Sequence, residues 1–207
     1  MTPSDPSGPV HADLPRTSPP DAPFDPARTA LLVMHYQTDI TALFADAAPT
    51  LLANTRQLCD AARHRGVAVY FAQIRFTPGY PEVSPLNRNG QGIREAGLFT
   101  TDDIAPELAR RPTEPIIIAR RASVFHGTDL QVRLSASGID TLMMVGIAST
   151  GVVLSSVAQA SDADYRLYTV KDCCFDPDEV VHERLFATAF ASRTTVLNLD
   201  DALALLA

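Results

Sequence analysis

The side chains that could do chemistry in this sequence stand in short stretches that each follow an apolar run. His35 closes "ALLVMHYQTDI" and is followed by Tyr36, Gln37 and Asp39. Histidine exchanges protons near neutral pH, so His35 could serve as a general base or acid. A histidine at a strand end is as readily a hydrogen-bonded part of the core. Arg120 and Arg121 follow "PIIIA". A guanidinium stays charged and offers a fork of donors, which suits a carboxylate or a developing oxyanion but not proton transfer. "GIASTGVV", from Gly146 to Val153, is a glycine-containing turn that opens a helix, where backbone N–H groups attract negative charge. Cys173 and Cys174 follow a further apolar run. Free cysteines more often fill buried space than attack a substrate.

The elements that must position these residues follow from hydrophobic periodicity. Continuous apolar runs predict strands at 29–35, 67–74, 115–119, 141–147, 166–171 and 194–197. Helices are predicted over 50–65, 129–137, 150–161, 178–192 and 200–206. The first of these puts Leu51, Thr55, Leu58, Cys59 and Ala62 on one face and stops at Gly66. Repeated strand–helix units predict an α/β fold, with helices on both faces of a mainly parallel six-stranded sheet. Ligands in such sheets bind beyond the carboxyl ends of the strands, where His35, the 119–121 triplet and the glycine turn all fall. The segment 75–103 shows little regular structure and reads as a lid or pocket wall. Its Phe76, Tyr80 and Phe99 are candidate aromatic walls, or simply packing.

Composition limits what the site can serve. The chain has 207 residues, 46% of them hydrophobic, enough for one sizeable core. A formal charge of -7 argues against nucleic acid and anionic membranes. No apolar stretch is long enough to span a membrane, and no basic region precedes an apolar one at the N-terminus, so the expected location is the cytoplasm. Three cysteines without metal-type spacing read as reduced thiols. Five scattered histidines form no metal constellation and no cofactor is expected; His64 and His182 fall on predicted helix surfaces, and His126 falls near a pocket or subunit contact. Eight of the sixteen prolines precede residue 27, so residues 1–27 read as a flexible or extended arm and 28–207 as the folded domain.

Across roughly residues 28–200 the chain resembles the isochorismatase-like hydrolases, also called the cysteine hydrolase superfamily. "ALLVMHYQTDI" stands against A-L-L-V-I-D-x-Q-N-D-F, "RRASVFHGTDL" against K-x-R-x-S-A-F-x-G-T-x-L, and "GIASTGVVLSS" against G-V-x-T-x-x-C-V. "GIDTLMMVGI" and "YRLYTVKDCCFD" resemble the segments flanking the last motif. The family's Asp takes a thiol proton, its Lys holds the pair in register, and the Cys thiolate attacks a carbonyl or nitrile carbon. The resemblance places these at His35, Ala119 and Val152, so none of the three survives. Valine has no nucleophilic atom, which excludes covalent thiol catalysis at that position.

The resemblance then implies a thiol-free small-molecule enzyme or a non-catalytic relative that binds a small molecule or serves as a structural subunit. In the first case His35 acts as acid or base and Arg120 stabilises negative charge, on an amide, ester or enol ether that is hydrolysed, eliminated or rearranged. Ala119, Ala148, Gly151 and Val152 would line the substrate with Gln37, Phe76 and Tyr80, and a non-proline cis peptide is implied near Ile147 and Ala148. Arg121 aligns with a family arginine and reads as structural, as does Asp39. A homodimer or homotetramer is also implied.

Overall fold

The fold is organised by "TALLVM", a six-residue stretch that can only be satisfied with both faces covered. In the computed structural model, which describes residues 23–101 and 103–207, this stretch is strand β1 (Thr29–Met34), and every residue in it is buried. It lies between β2 (Ala68–Ile74) and β4 (Thr141–Gly146), parallel to both, with Met34 opposite Ala72 on one side and Gly146 on the other. The sheet continues outward to β3 (Ile116–Ala119) beside β2, and to β5 (Arg166–Val170) and β6 (Thr195–Leu197) beyond β4. All five ladders are parallel. The architecture is three-layer α/β/α. The order β3-β2-β1-β4-β5-β6 makes the chain leave β1 in one direction and β4 in the other. A crevice therefore opens at the carboxyl ends of these two neighbours.

Seven α-helices accompany the sheet among the described residues: α1 (Thr38–Ala42), α2 (Ala48–Arg65), α3 (Arg88–Glu95), α4 (Leu130–Ala136), α5 (Leu154–Asp162), α6 (Glu179–Leu185) and α7 (Leu199–Leu205). Helix α2 buries Leu51, Leu52, Thr55, Leu58, Cys59 and Ala62, and ends at Gly66 with φ +82°, a left-handed C-cap. Its last turn is tied to the start of β3 by a two-pronged pair, Arg63 Nε to Glu114 Oε1 at 2.6 Å and Nη2 to Oε2 at 2.9 Å. Under the middle of α2, the buried Tyr36 hydroxyl donates to the Cys173 carbonyl, which fastens the loop after β1 to the loop after β5.

The structure departs from the periodicity reading in specific places. Helix α3 lies inside the 75–103 segment expected to be irregular. Its sequence "RNGQGIRE" is poor in apolar residues and carries two glycines, so no hydrophobic stripe marks it; Asn87 starts it by accepting the Gly90 N–H at 3.0 Å. Helix α1 is one turn long, below what periodicity detects. The helices expected at 150–161 and 178–192 each include a widened π-helical stretch, Ser149–Val153 at the start of one and Phe186–Phe190 at the end of the other. Residues 1–22, most of the expected arm, lie outside the described residues, and Pro26–Arg28 form one 3-10 turn capped by Asp25.

The last residue of β4 must be glycine. A Cβ on Gly146 would lie 3.0 Å from Val152 Cγ1, 3.1 Å from the Met34 carbonyl and 3.1 Å from Val153 Cγ2. Gly146→Ala is expected to destabilise the fold by about 1–3 kcal/mol through overpacking, read as the shift in a chemical denaturation curve. Gly151→Ala, where a Cβ meets nothing within 4 Å, is the control and should leave the curve in place.

Candidate active site

Beyond the ends of β1 and β4 lies a cavity of about 570 Å³. Its floor is His35 from β1, Ile74 from β2 and the Ile147–Val152 turn after β4. Ile40, Leu43 and Phe44 close one side, and Ile93, Leu98 and Phe99 close the other. Arg88, Asn89 and Gly92 of α3 form the rim. Among the lining residues only His35, Arg88 and Asn89 carry polar side chains, and none is an acid.

His35 sits where β1 gives out, with φ +64°, and its N–H still donates to the Ala72 carbonyl at 2.8 Å, so the ladder ends one residue beyond the strand. Histidine is among the residues that tolerate this left-handed conformation. The side chain is 5% exposed, and its Nε2 has no hydrogen-bond partner. Burial in apolar surroundings pushes its pKa down to about 3, so the ring is neutral at neutral pH.

The turn after β4 is held rigidly from outside the cavity. Ser149 N–H donates to the Phe175 carbonyl at 2.9 Å, and the Ser149 hydroxyl lies 2.9 Å from His182 Nδ1. Thr150 gives both its N–H, at 2.8 Å, and its hydroxyl, at 2.6 Å, to Asp176 Oδ2. The N–H groups of Gly151 and Val153 turn back onto the Ala148 carbonyl. Gly151 therefore spends its amide within the turn. The Ile147–Ala148 peptide is cis.

The structure gathers part of the anticipated set around the cavity and leaves part elsewhere. His35, Ala148, Gly151, Val152 and Phe99 line it. Arg120 does not: its Nε is paired with Glu82 at 3.2 Å. Ala119 is fully buried in β3, and Gln37 is buried with its Oε1 accepting the Ile74 N–H at 2.8 Å; neither lines the cavity. Phe76 and Tyr80 pack on each other at 5.7 Å, with the Tyr80 hydroxyl donating to the Leu98 carbonyl at 2.8 Å, which shapes the loop from behind. His182 is half-buried against Ser149 and not on the surface, because its helix packs its ring on Phe186 and the turn. Arg88, Asn89 and Ile93 were not anticipated. The Asn87 cap was the one available signal for their helix.

None of the cysteines lines the cavity. All three are buried, which pushes the Cys59 and Cys174 thiols up to about 12 and Cys173 higher still. No group of acids, histidines and cysteines among the described residues is arranged to hold a metal. No helix among them is long and apolar enough to cross a membrane.

Comparison with known proteins decides the family, because the isochorismatase domain matches residues 29–201. The chain belongs to the isochorismatase family. It is 30% identical to the phenazine biosynthesis protein PhzD of Pseudomonas fluorescens over 182 residues, covering 86% of each chain. It is 24% identical to the maleamate amidohydrolase of Pseudomonas putida over 159 residues, covering 72% of this chain and 70% of that protein. An isochorismatase family protein of Burkholderia thailandensis shares the fold with a TM-score of 0.79 at 22% identity, over 89% of this chain and 97% of that one. Members of the isochorismatase family are hydrolases, amidohydrolases among them.

The protonation of His35 gives this site a stability signature. Folded, the ring stays unprotonated down to pH about 3; unfolded, it takes a proton near 6.5. Between these values the unfolded state binds more protons, so stability is full above pH 6.5 and is lost as the pH falls. At pH 4.5 the loss should reach roughly 2–3 kcal/mol relative to pH 7. Denaturation curves of the wild type and His35→Asn at the two pH values check this: the wild type should lose that much more than the variant, and equal losses would contradict it.

Proposed function

We propose that this isochorismatase-family protein is a small-molecule hydrolase that works without a cysteine nucleophile. The observation that carries the reading is His35, a residue on the floor of an apolar cavity whose buried Nε2 has no protein partner. A buried nitrogen left unsatisfied is costly unless a ligand or water completes it. In this reading His35, Ala119 and Val152 stand where the family's Asp, Lys and Cys stand. Val152 is 2% exposed and packs on Gly146, so it offers structure and no chemistry.

The substrate is an amide, ester or enol ether whose polar oxygen lies beside the Ala148–Val152 turn. For a carbonyl substrate, water adds to the carbon as His35 takes its proton. The neutral ring has no proton to give at the outset. It gains one in the same step that places negative charge on the substrate oxygen, so cation and anion appear together. Paired charge is far less costly in a low-dielectric cavity than either charge alone. The imidazolium then passes the proton to the leaving group as the C–N or C–O bond breaks. Arg120, paired with Glu82 in the free protein, takes part only by leaving that partner, and Gln37 supports the site through its bond to Ile74.

One observation favours a second reading, a family member that binds a small molecule without turning it over. A ring whose pKa is held at about 3 is a weak proton acceptor in the empty cavity.

A panel of small amides, esters and enol ethers, followed by product formation, separates the two. Turnover should fall by about 10²–10⁴-fold in His35→Asn, a change that keeps a residue tolerant of positive φ. Cys173→Ala and Cys174→Ala should leave turnover intact, and its loss in either would overturn the thiol-free mechanism. Binding without product across the panel would favour the second reading.

A further inference from the structure

The His35 cavity does not end at its rim. A second pocket of about 330 Å³ adjoins it, and the two share Asn89 and Ala122 as lining residues. The character changes across that boundary. The inner cavity is apolar, whereas the outer pocket is lined by Asn87, Arg121, Ser123, His126 and Gln159. The two chambers together present Arg88 and Arg121 and no acidic side chain among the described residues, in a chain whose formal charge is -7. In a protein with more acids than bases, a cleft lined by cations alone focuses a positive potential and draws anions.

Arg121 is set for such a ligand. Its Nη1 donates to the carbonyls of Arg120 at 2.7 Å and Glu82 at 3.4 Å, and its Nη2 donates to the Glu82 carbonyl at 3.3 Å. These bonds hold the guanidinium in place without neutralising it. The Glu82 carboxylate is engaged elsewhere, by the Thr77 hydroxyl at 2.6 Å and by Arg120. A guanidinium has five N–H donors. With those bonds made, Nε–H and one Nη2–H remain, side by side on one edge. That edge matches the spacing of two carboxylate oxygens.

We propose that the outer pocket binds the carboxylate of the substrate, through Arg121 with Arg88 at the rim, while the substrate's apolar body fills the His35 cavity. This rests on the small-molecule reading above and narrows it to amphipathic carboxylic acids. The acid group is the handle, and the reacting bond lies at the inner end near His35. A planar two-oxygen anion fits better than a phosphate, because the free edge of Arg121 presents two parallel donors that match two coplanar oxygens.

The test is calorimetric titration of the full chain with 3-phenylpropanoate and with 3-phenylpropanamide, a pair matched in shape that differs in charge. The acid should bind at least about tenfold more tightly than the amide, and added salt should weaken the acid alone. Arg88→Gln, an exposed position, should lower acid affinity several-fold, and Arg121→Gln should erase the preference while leaving the amide unaffected. Should Arg121→Gln fail to fold, Arg121→Lys, which keeps the charge but loses the two-pronged edge, should weaken the acid partially. Equal binding of acid and amide, a preference that survives Arg121→Gln or Arg121→Lys unchanged, or no binding of either probe would overturn the proposal. His35→Asn should keep the acid preference. Lost turnover with retained preference would uphold both readings, whereas turnover that survives His35→Asn beside a normal acid preference would overturn the mechanism alone.

Discussion

A central strand covered on both faces has no place for a charge. From Thr29 to Met34 every side chain of β1 is enclosed, so the first residue able to do chemistry can appear only where the strand leaves the sheet. That residue is His35, and the same enclosure keeps its ring uncharged. The cavity above it is accordingly one without ionic groups at its base, bounded by a turn whose Ser149 and Thr150 are held by Phe175, Asp176 and His182 on its far side. Chemistry in such a place has to begin from neutral partners and develop its charges in pairs.

Much of this was legible in the sequence because it depends on burial. "TLMMVG" and "TALLVM" read as strands because no other arrangement hides so many adjacent apolar side chains, and the parallel order followed from the helices between them. The place of His35 and the glycine turn at one sheet edge followed in the same way. What was not legible depends on local hydrogen bonds. Helix α3 exists through its Asn87 cap and its seat on the loop, not through an apolar stripe. Arg120 looked free because its partner Glu82 lies 38 residues earlier in an irregular segment. His182 looked exposed because the residue it meets, Ser149, belongs to a turn 33 positions away. Contacts between loops carry no periodicity, so they leave no pattern to read.

The arginines show how one loop residue can divide two neighbours into different tasks. The Glu82 side chain pairs with Arg120, while its backbone carbonyl only orients Arg121. One cation is thereby neutralised at the surface, and the other stays charged beside the cavity. The Arg63–Glu114 pair serves a third purpose: with side chains 3% and 9% exposed, it locks α2 to the strand that delivers both arginines.

The cavity floor and its wall also differ in how they are anchored. The floor belongs to β1 and β4, where a change is felt through the whole core. One wall belongs to the chain between β2 and β3, where α3 is fastened by its own cap and by short-range bonds such as Gln91 to the Ser84 carbonyl at 2.8 Å. Insertions, deletions or exchanges in that stretch alter the shape and charge seen by an incoming molecule without disturbing strand pairing. The fold thus keeps the floor of the cavity and part of its wall on separately inheritable parts, and the shape offered to an incoming molecule can change by rewriting one connecting segment.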